Sequence, residues 1–455
     1  MIGDDRADDV VGFIHDTTWD DLPAAVRRQA QRCLLDTVGA AVAGRQTELS
    51  HIVHAFAAAA YGGTGAVLWL DGRELSPPGA ALANGMTIDA FDIHDGYNLT
   101  KGHAGAAVVP AGLATLSLGA GRVGGRELLA TLVVGYEVAL RAGVALHSTA
   151  CDYHTSGAWN ALGCAAITVR RLGLGGDATR HALGTAEYHG PRSPMMRCVD
   201  FPTMVKDGSG WGAMAGVGAA LLAGHGFTGA PAFTVEGTET APFWDDLGDR
   251  WRILEQYFKP YAVCRWAQPA VVAALALRNA HHFAPEEIRR ISIATFHEAV
   301  RLDVRRPQTT EEAQYSLPFP VAAALVHGRL GPAELSREGL CDSRVLALVG
   351  RIELVESPTF NHHFPAERFA DVAVETTAGD VFKSGPRQPT WEHTAPPSDA
   401  ELRQKFCWLA ATSLPATRVA ALERVLSHCA ELADAAEIVA LLAPPQHAIA
   451  GEIEV

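Results

Sequence analysis

Through roughly the first 260 residues, apolar positions recur with the period of a helix. After Asp20 and Asp21, Pro23 stands at a first helical position. Val26, Ala30, Cys33, Leu34, Thr37, Val38 and Ala41 then follow at helical spacing until Gly44 ends the run. Similar patterns predict helices at about 79–90, 105–120, 126–147, 157–172, 177–188 and 209–225. Many are built from Ala and Gly, whose small side chains let helices approach closely, so a buried multihelical body is expected. One stretch breaks the pattern. AVLWLDGREL (66–75) reads as two short strands joined by Asp71-Gly72, a hairpin signal.

The texture changes near Lys259. ISIATF (291–296), RIELVE (351–356) and ADVAVETTAGDVFKS (370–384) read as strands, the last folding back around Gly379-Asp380. Helical stretches at about 267–280, 319–327 and 342–349 lie between them. After Pro396-Pro397, helices return at about 398–410, 416–427 and 431–442. The expected fold is mainly α. A large multihelical domain spans 1–265 and is completed by 398–455, and a smaller α+β domain occupies 266–397.

Composition narrows the function. The 455 residues leave room for two or three cores, and 48% hydrophobic with 19% charged is an ordinary globular balance. A net charge of −14 provides no basic stripe to displace counterions, so nucleic acid is not expected as a partner. The eight cysteines form no CxxC or zinc-type pairing and read as reduced core thiols. The acidic start MIGDDRADDVVGF is unlike a secretory or transit leader, and no apolar run reads as a membrane span. A cytoplasmic protein without a membrane partner is expected.

The densest chemistry lies in IDAFDIHDGYNLTKGHAGAAVVPA (88–111), which packs Asp89, Asp92, Asp95, His94, His103 and Lys101 ahead of an Ala/Val helix. Acids, bases and a cation beside a buried helix suit proton chemistry; a polar loop capping a helix is the plain alternative. His103 precedes a helix start, where free N–H groups favour an anion and a neutral imidazole ready to accept a proton. His154 in HTSGAW (154–159) also precedes a Gly-led helix, and a capping or packed histidine is its plain alternative. Lys206 in MVKDGSGWGAMAGVGAALLA precedes its glycines and follows no strand, so a nucleotide cradle is a weak reading there. Lys259, Tyr261, Cys264 and Arg265, in YFKPYAVCRWAQP, fall where the two textures meet, and domain junctions commonly hold pockets. Several helix N-termini converging on one anion, assisted by Lys206 and Lys259, would suit a small di- or tricarboxylate. Two other classes compete. Asp92, His94, Asp95 and His103 could ligate Zn²⁺ or Fe²⁺, although they lack the i, i+4 spacing of a helical His pair. A non-enzymatic binding module is the other.

The chain resembles the MmgE/PrpD family. The likeness runs through LLDTVGAAVAG (34–44), ANGMTIDAFD (83–92), GHAGAAVVPAGLA (102–114), GYEVALRAG (135–143) and HTSGAW. It continues through the Lys206 stretch with GHGFTGAPAFTVEG (224–237), then KPYAVCRWAQP and SLPFPVAAALVHG (316–328). The resemblance implies a helical domain built from both chain ends, a homodimer and cofactor-free abstraction of a proton α to a carboxylate. A 2-methylcitrate dehydratase-like or aconitate decarboxylase-like lyase is the expected enzyme, and an epimerase of an iminodisuccinate-like compound is the alternative. The family's acidic motif falls on Asp89 and Asp92, its histidines on His103 and His154, and its lysines on Lys206 and Lys259.

This chain departs from the family pattern in four places. IHDGYNLTKG intervenes before His103, adding Asp95 and Lys101. His103-Ala104-Gly105 replaces His-Pro-Ser. Phe319 stands for a tyrosine of decarboxylase-like members, and Gln268 for a frequent histidine. The expected chemistry rests on His103, His154, Lys206 and Asp92, with one histidine as base, the other as donor, and Asp92 fixing a tautomer. Asp89, Asp95, Lys101, Lys259, Cys264 and Arg265 are expected around a small polycarboxylate, with no metal.

Overall fold

A computed structural model describes residues 4–444. The fold is mainly α with a smaller α+β part. It opens with α1 (Asp4–Asp16), α2 (Ala24–Gly44) and α3 (Glu48–Ala60). Pro23 is the N-cap of α2, one place before its expected position. From Cys33 to Gly44 every residue of α2 is buried, which makes it a central helix. The apolar period marks neither α1 nor α3. The inner face of α3 carries Ser50 and His54 between Leu49 and Ala57, which interrupts the stripe that a sequence reading needs.

Strands β1 (Ala66–Val67) and β2 (Glu74–Leu75) form the expected antiparallel hairpin. Next come α4 (Pro77–Asp89), β3 (Gly96–Tyr97), α5 (Gly105–Ala114), α6 (Gly125–Thr149), α7 (Gly157–Leu172) and α8 (Gly176–His189). They are followed by α9 (Met196–Asp200), α10 (Ser209–Gly224), α11 (Phe233–Glu236) and β4 (Gln256–Tyr257). Helix α5 ends at Ala114, with Thr115 as its C-cap, short of the expected residue 120. Helix α10 lies against α4 and α7 at a distance that only small residues permit. A Cβ on Gly212 would meet the Gly157 carbonyl oxygen at 2.4 Å. Helix α6 corrects the reading that no apolar run is long enough to cross a membrane. It is long and apolar enough, but 94% of that window is buried inside the protein. Within it, Glu137 and Arg141 pair at 3.4 Å, fully out of water.

The second part holds α12 (Gln268–His281), β5 (Ile288–Thr295), α13 (His297–Val300), α14 (Thr310–Gln314), α15 (Pro318–His327) and α16 (Arg337–Leu340). It continues with α17 (Ser343–Val349), β6 (Ile352–Glu356), α18 (Pro358–His363), β7 (Ala370–Thr376) and β8 (Val381–Lys383). The sheet order is β6-β5-β7-β8, with β5 and β6 parallel and the other pairs antiparallel. Alternate residues of β7 (Ala370, Val372, Val374, Thr376) are buried, and α12 packs on this strand. The turn into β8 uses Gly379 at φ +96°.

Helices α19 (Asp399–Ala410), α20 (Ala416–Ser427) and α21 (Ala436–Leu442) close the described chain. The last expected helix, 431–442, is instead a short 3-10 turn followed by α21, and residues 445–455 lie outside the described residues. Helices α19 and α20 pack against α2. Buried Lys405 on α19 donates to Asp36 of α2 at 2.5 Å and to the Ile93 carbonyl at 2.6 Å. That second bond ties the C-terminal helices to the loop between α4 and α5. The same loop is held from the other side, where Gly96 and Tyr97 pair with Tyr257 and Gln256.

Candidate active site

The loop from Ala90 to Ala104 is almost wholly buried, which is unusual for a connection and requires its polar groups to find partners inside. His103 is 6% exposed. Its Nδ1 lies 2.6 Å from the carbonyl oxygen of Asp95. A carbonyl can only accept, so Nδ1 carries the hydrogen and Nε2 keeps its lone pair. That lone pair lies 3.5 Å from Asp92 and 3.7 Å from Asp207. The second of these distances brings in a carboxylate that sequence reading did not single out. Burial pushes the imidazole down to about 4, helped by the Lys259 and His94 charges, so it is neutral near pH 7. The backbone N–H of His103 donates to Ser156 Oγ, whose hydroxyl donates to Asp207 at 2.8 Å. Asn160 donates to the His103 carbonyl. The ring is thus held by the Asp95 carbonyl, and the backbone behind it by Ser156, the N-cap of α7, and by Asn160 within that helix.

Asp92 pairs with Lys259, the two side chains lying in direct contact and buried. Burial pushes the Asp92 carboxyl up, but Lys259 and then His103 outweigh it and hold it well below the usual range. Gln314 stitches the neighbourhood together. Its Oε1 accepts from the Asp92 N–H at 2.8 Å and from Lys206 Nζ at 2.7 Å, while its amide donates to the Ala90 carbonyl. Lys206 adopts φ +47° and sits 5.0 Å from the centre of the Tyr315 ring.

Asp92, Lys101, His103, Asp207, Lys259, Cys264, Arg265 and Tyr315 line one narrow cleft, closed by Met195, Cys198, Val199 and Trp266. It lies between the helical body and the α+β part, as the junction residues suggest. Burial pushes the Lys101 ammonium down to about 7, with the Arg368 charge adding to this, and the Cys264 thiol up to about 12. The Tyr315 phenol is raised well above its ordinary value, first by burial, so it stays protonated. Phe319 is fully buried in the core and does not line the cleft; the phenol that does is Tyr315, four residues earlier.

Several expected site residues lie elsewhere. His154 is half-buried, bonds the Asp152 carbonyl and stacks 6.4 Å from His147, outside the cleft lining. Asp89 accepts from Ser209 N, capping α10, and its other oxygen is 3.2 Å from His94 Nε2. The carboxylate of Asp95 accepts from Tyr136 at 2.6 Å and points away from the cleft. Its raised value of about 7, caused by burial, keeps it partly protonated there. The expectation that helix N-termini converge on an anion is also corrected. Asp89 already occupies that of α10, and the Gly157 N–H of α7 donates to the Asp207 carbonyl. Of the residues weighed as a metal set, His94 and His103 lie with ring centres 4.5 Å apart and Asp92 is 3.5 Å from His103, but the Asp95 carboxylate turns to Tyr136, and among the described residues no group of three His, Cys, Asp or Glu is placed to hold an ion. Of the cysteines, Cys151, Cys341 and Cys407 are exposed rather than core thiols.

Tyr315, Asp207, Ser156 and Gln314 were not legible as site residues. Asp207 adjoins Lys206 and Tyr315 adjoins SLPF, and those adjacencies were the available signals.

Comparison with known proteins agrees with the likeness carried by the motifs. The MmgE/PrpD N-terminal domain matches residues 8–241 and the MmgE/PrpD C-terminal domain matches 261–431. A cis-aconitate decarboxylase-like protein of Aspergillus oryzae is 24% identical over 466 residues, covering 93% of this chain and 94% of its own. Cis-aconitate decarboxylase of Mus musculus is 24% identical over 461 residues, covering 95% and 92%. A 2-methylcitrate dehydratase of Cupriavidus necator is 34% identical over 121 residues, 25% of each chain. With its two halves matched in order and its buried histidine cleft at their junction, this chain belongs to the MmgE/PrpD family.

Proposed function

We propose that the cleft is the active site of a lyase that moves a proton at the carbon α to a carboxylate of a small di- or tricarboxylate. The observation that carries this is the tautomer of His103. Its hydrogen is committed to the Asp95 carbonyl, and the free Nε2 lone pair lies in a cleft lined by Lys101, Lys259 and Arg265. A proton α to a carboxylate is weakly acidic, so its removal or return needs a positioned base and cations to hold the enediolate charge. His103 supplies the first, and Lys101 and Arg265 the second. Asp92 and Lys259 compensate each other on one side of the lone pair, and on its other side burial raises the Asp207 carboxyl. The protonated phenol of Tyr315 is the natural donor to a leaving or developing oxygen.

The full-length likeness to proteins named as cis-aconitate decarboxylases favours decarboxylation of a cis-aconitate-like acid. There, a C–CO₂⁻ bond breaks, its electron pair passes through the double bond into the conjugated carboxylate, and the carbon α to that carboxylate takes a proton from the Tyr315 phenol, which solvent then restores. The shorter likeness to a 2-methylcitrate dehydratase supports the other lyase outcome, loss of β-hydroxide after proton abstraction. The epimerase alternative came with the family likeness; His154, the second imidazole that would serve it, lies outside the cleft lining, and the names of the relatives favour a lyase. The same reading takes the enzyme as a cofactor-free, cytoplasmic homodimer.

The test is to incubate the protein in D₂O with cis-aconitate, citrate and 2-methylcitrate. CO₂ release with one deuteron gained on carbon is expected from the first acid; loss of water from either of the others would make it a dehydratase. No turnover of any of these acids would defeat the proposal. A second expectation concerns pH. The free-enzyme profile of kcat/KM should fall on the acid side near 4, where His103 gains a proton, and on the alkaline side near 7, where Lys101 loses one. Lys101→Met should remove the alkaline limb while the acid limb stays. An alkaline limb unchanged in that variant would show that Lys101 does not bind the anion as a cation.

A further inference from the structure

Asp207 is 6% exposed and lines the cleft beside His103. Its backbone is set by two left-handed neighbours, Lys206 at φ +47° and Gly208 at φ +64°. That region is costly for a lysine, and strain of this kind persists where the surrounding structure holds it in place. Here the hold comes from α7. Its first residue is Gly157, where a Cβ would meet the Gly208 carbonyl oxygen at 2.3 Å, and the Gly157 N–H donates to the Asp207 carbonyl at 3.0 Å. The Ser156 hydroxyl donates to Asp207 Oδ2 at 2.8 Å, and the same Oδ2 lies 3.7 Å from His103 Nε2. Ser156 Oγ also accepts from the His103 N–H, so one hydroxyl places both the ring's backbone and the carboxylate beside it.

The charges nearby leave Asp207 to His103. Lys206 turns its ammonium to Gln314, and Lys259 is spent on Asp92, the other carboxylate near Nε2. Among the described residues no lysine or arginine pairs with Asp207. Asp89 and Asp92 repel it, and the Cys198 thiol stands 3.7 Å from its Oδ1. Lys259 and His94 act on the ring from its other side. Burial raises the Asp207 carboxyl and the His103 charge lowers it, so the charged form of each group is favoured by the other.

We propose that Asp207 is a positioning residue that acts through His103, holding the counter-charge for the imidazolium that forms when Nε2 takes a proton from carbon. This rests on the proposed lyase reading and deepens it. In that step the C–H bond breaks, its electron pair stays on the enediolate, and the proton joins the Nε2 lone pair. The ring gains a positive charge where burial opposes one, and the Asp207 carboxylate offsets it. The two ring nitrogens are then served separately. A backbone carbonyl fixes the tautomer at Nδ1, and a carboxylate on the cleft side steadies the charge at Nε2.

The test is Asp207→Asn in the full chain. Asn keeps an oxygen for the Ser156 hydroxyl, so the variant should melt at or above the wild-type midpoint. Its kcat is expected to fall by about ten- to a hundredfold, the scale of one neighbouring counter-charge. The calorimetric Kd for tricarballylate, a saturated tricarboxylate that neither decarboxylates nor dehydrates, should stay the same or tighten, because a negative group leaves the cleft. A merely structural Asp207 would weaken Kd in step with kcat. Asp207→Asn added to His103→Gln should cost nothing further, since the two act as a unit. One readout needs no turnover. The ¹⁵N resonance of His103 Nε2, identified by its loss in His103→Gln, should show half protonation near 4 in the wild type and at lower pH in Asp207→Asn. If none of the acids is turned over, the lyase reading fails and this titration alone decides whether Asp207 partners His103. The proposal is overturned by a folded Asp207→Asn with wild-type kcat, by a Kd that weakens with kcat, or by an unmoved His103 midpoint. Should Asn disturb the fold, Asp207→Ser removes the carboxylate and is held to the same readouts.

Discussion

Replacing His103 with Gln should lower kcat by about 10²–10⁴-fold, the range expected when a positioned acid–base group is lost. Its side chain has no other task that Gln would fail. The Asp95 carbonyl would accept an amide N–H as it accepts Nδ1–H, and the bonds from Ser156 and Asn160 go to the backbone, which the change leaves in place. Melting should therefore stay close to wild type while turnover collapses. A loss of less than about tenfold, in a variant that remains folded, would remove His103 from the chemistry and with it the central assignment. The acid limb of kcat/KM gives an independent reading. It should disappear in this variant, because the group titrating near 4 is gone.

The largest effect on stability is expected at Lys259. Both members of its pair with Asp92 are out of water, so Lys259→Met leaves a carboxylate buried without its counter-charge. Breaking such a pair from one side typically costs about 3–5 kcal/mol, whereas removing both charges costs far less. Chemical denaturation at neutral pH should show the single variant strongly destabilised and Asp92→Asn with Lys259→Met restoring most of the loss. Equal destabilisation by the single and double variants would mean that the pair is not energetically coupled. The pH dependence has a definite sign. Asp92 has a depressed carboxyl, so its contribution is complete above the ordinary carboxylate range and is lost as pH falls through its folded value. Asp95 acts oppositely. Its raised carboxyl retains a proton that the unfolded chain releases, so stability declines as pH rises from the ordinary value towards about 7.

Helices were readable wherever one face repeats in sequence, as in α2, α7 and α10, and failed where polar residues sit inside, as in α3. The acidic loop was readable as chemistry because its members are neighbours in the chain, yet adjacency says nothing of direction. Asp92 faces the cleft, while Asp89 caps α10 and Asp95 turns to Tyr136, though all three stand within seven positions. A bend of the backbone every residue or two decides which carboxylate faces which neighbour, and composition does not record it.

The one-dimensional pattern thus carried the helical class and the strand-bearing second part through periodicity, and the family through a likeness of motifs, while His103, Asp92 and Lys259 stood out there as candidates. Periodicity and local clustering survive projection onto a line. The tertiary structure alone placed Tyr315, Asp207 and Gln314 beside them and left His154 outside. It also set the tautomer of His103 through a backbone carbonyl, a group every residue possesses and no motif can mark. Long-range pairing of β3 with β4 and the close approach of α7 to α10 bring those single residues together, and the chemistry of the cleft depends on that convergence.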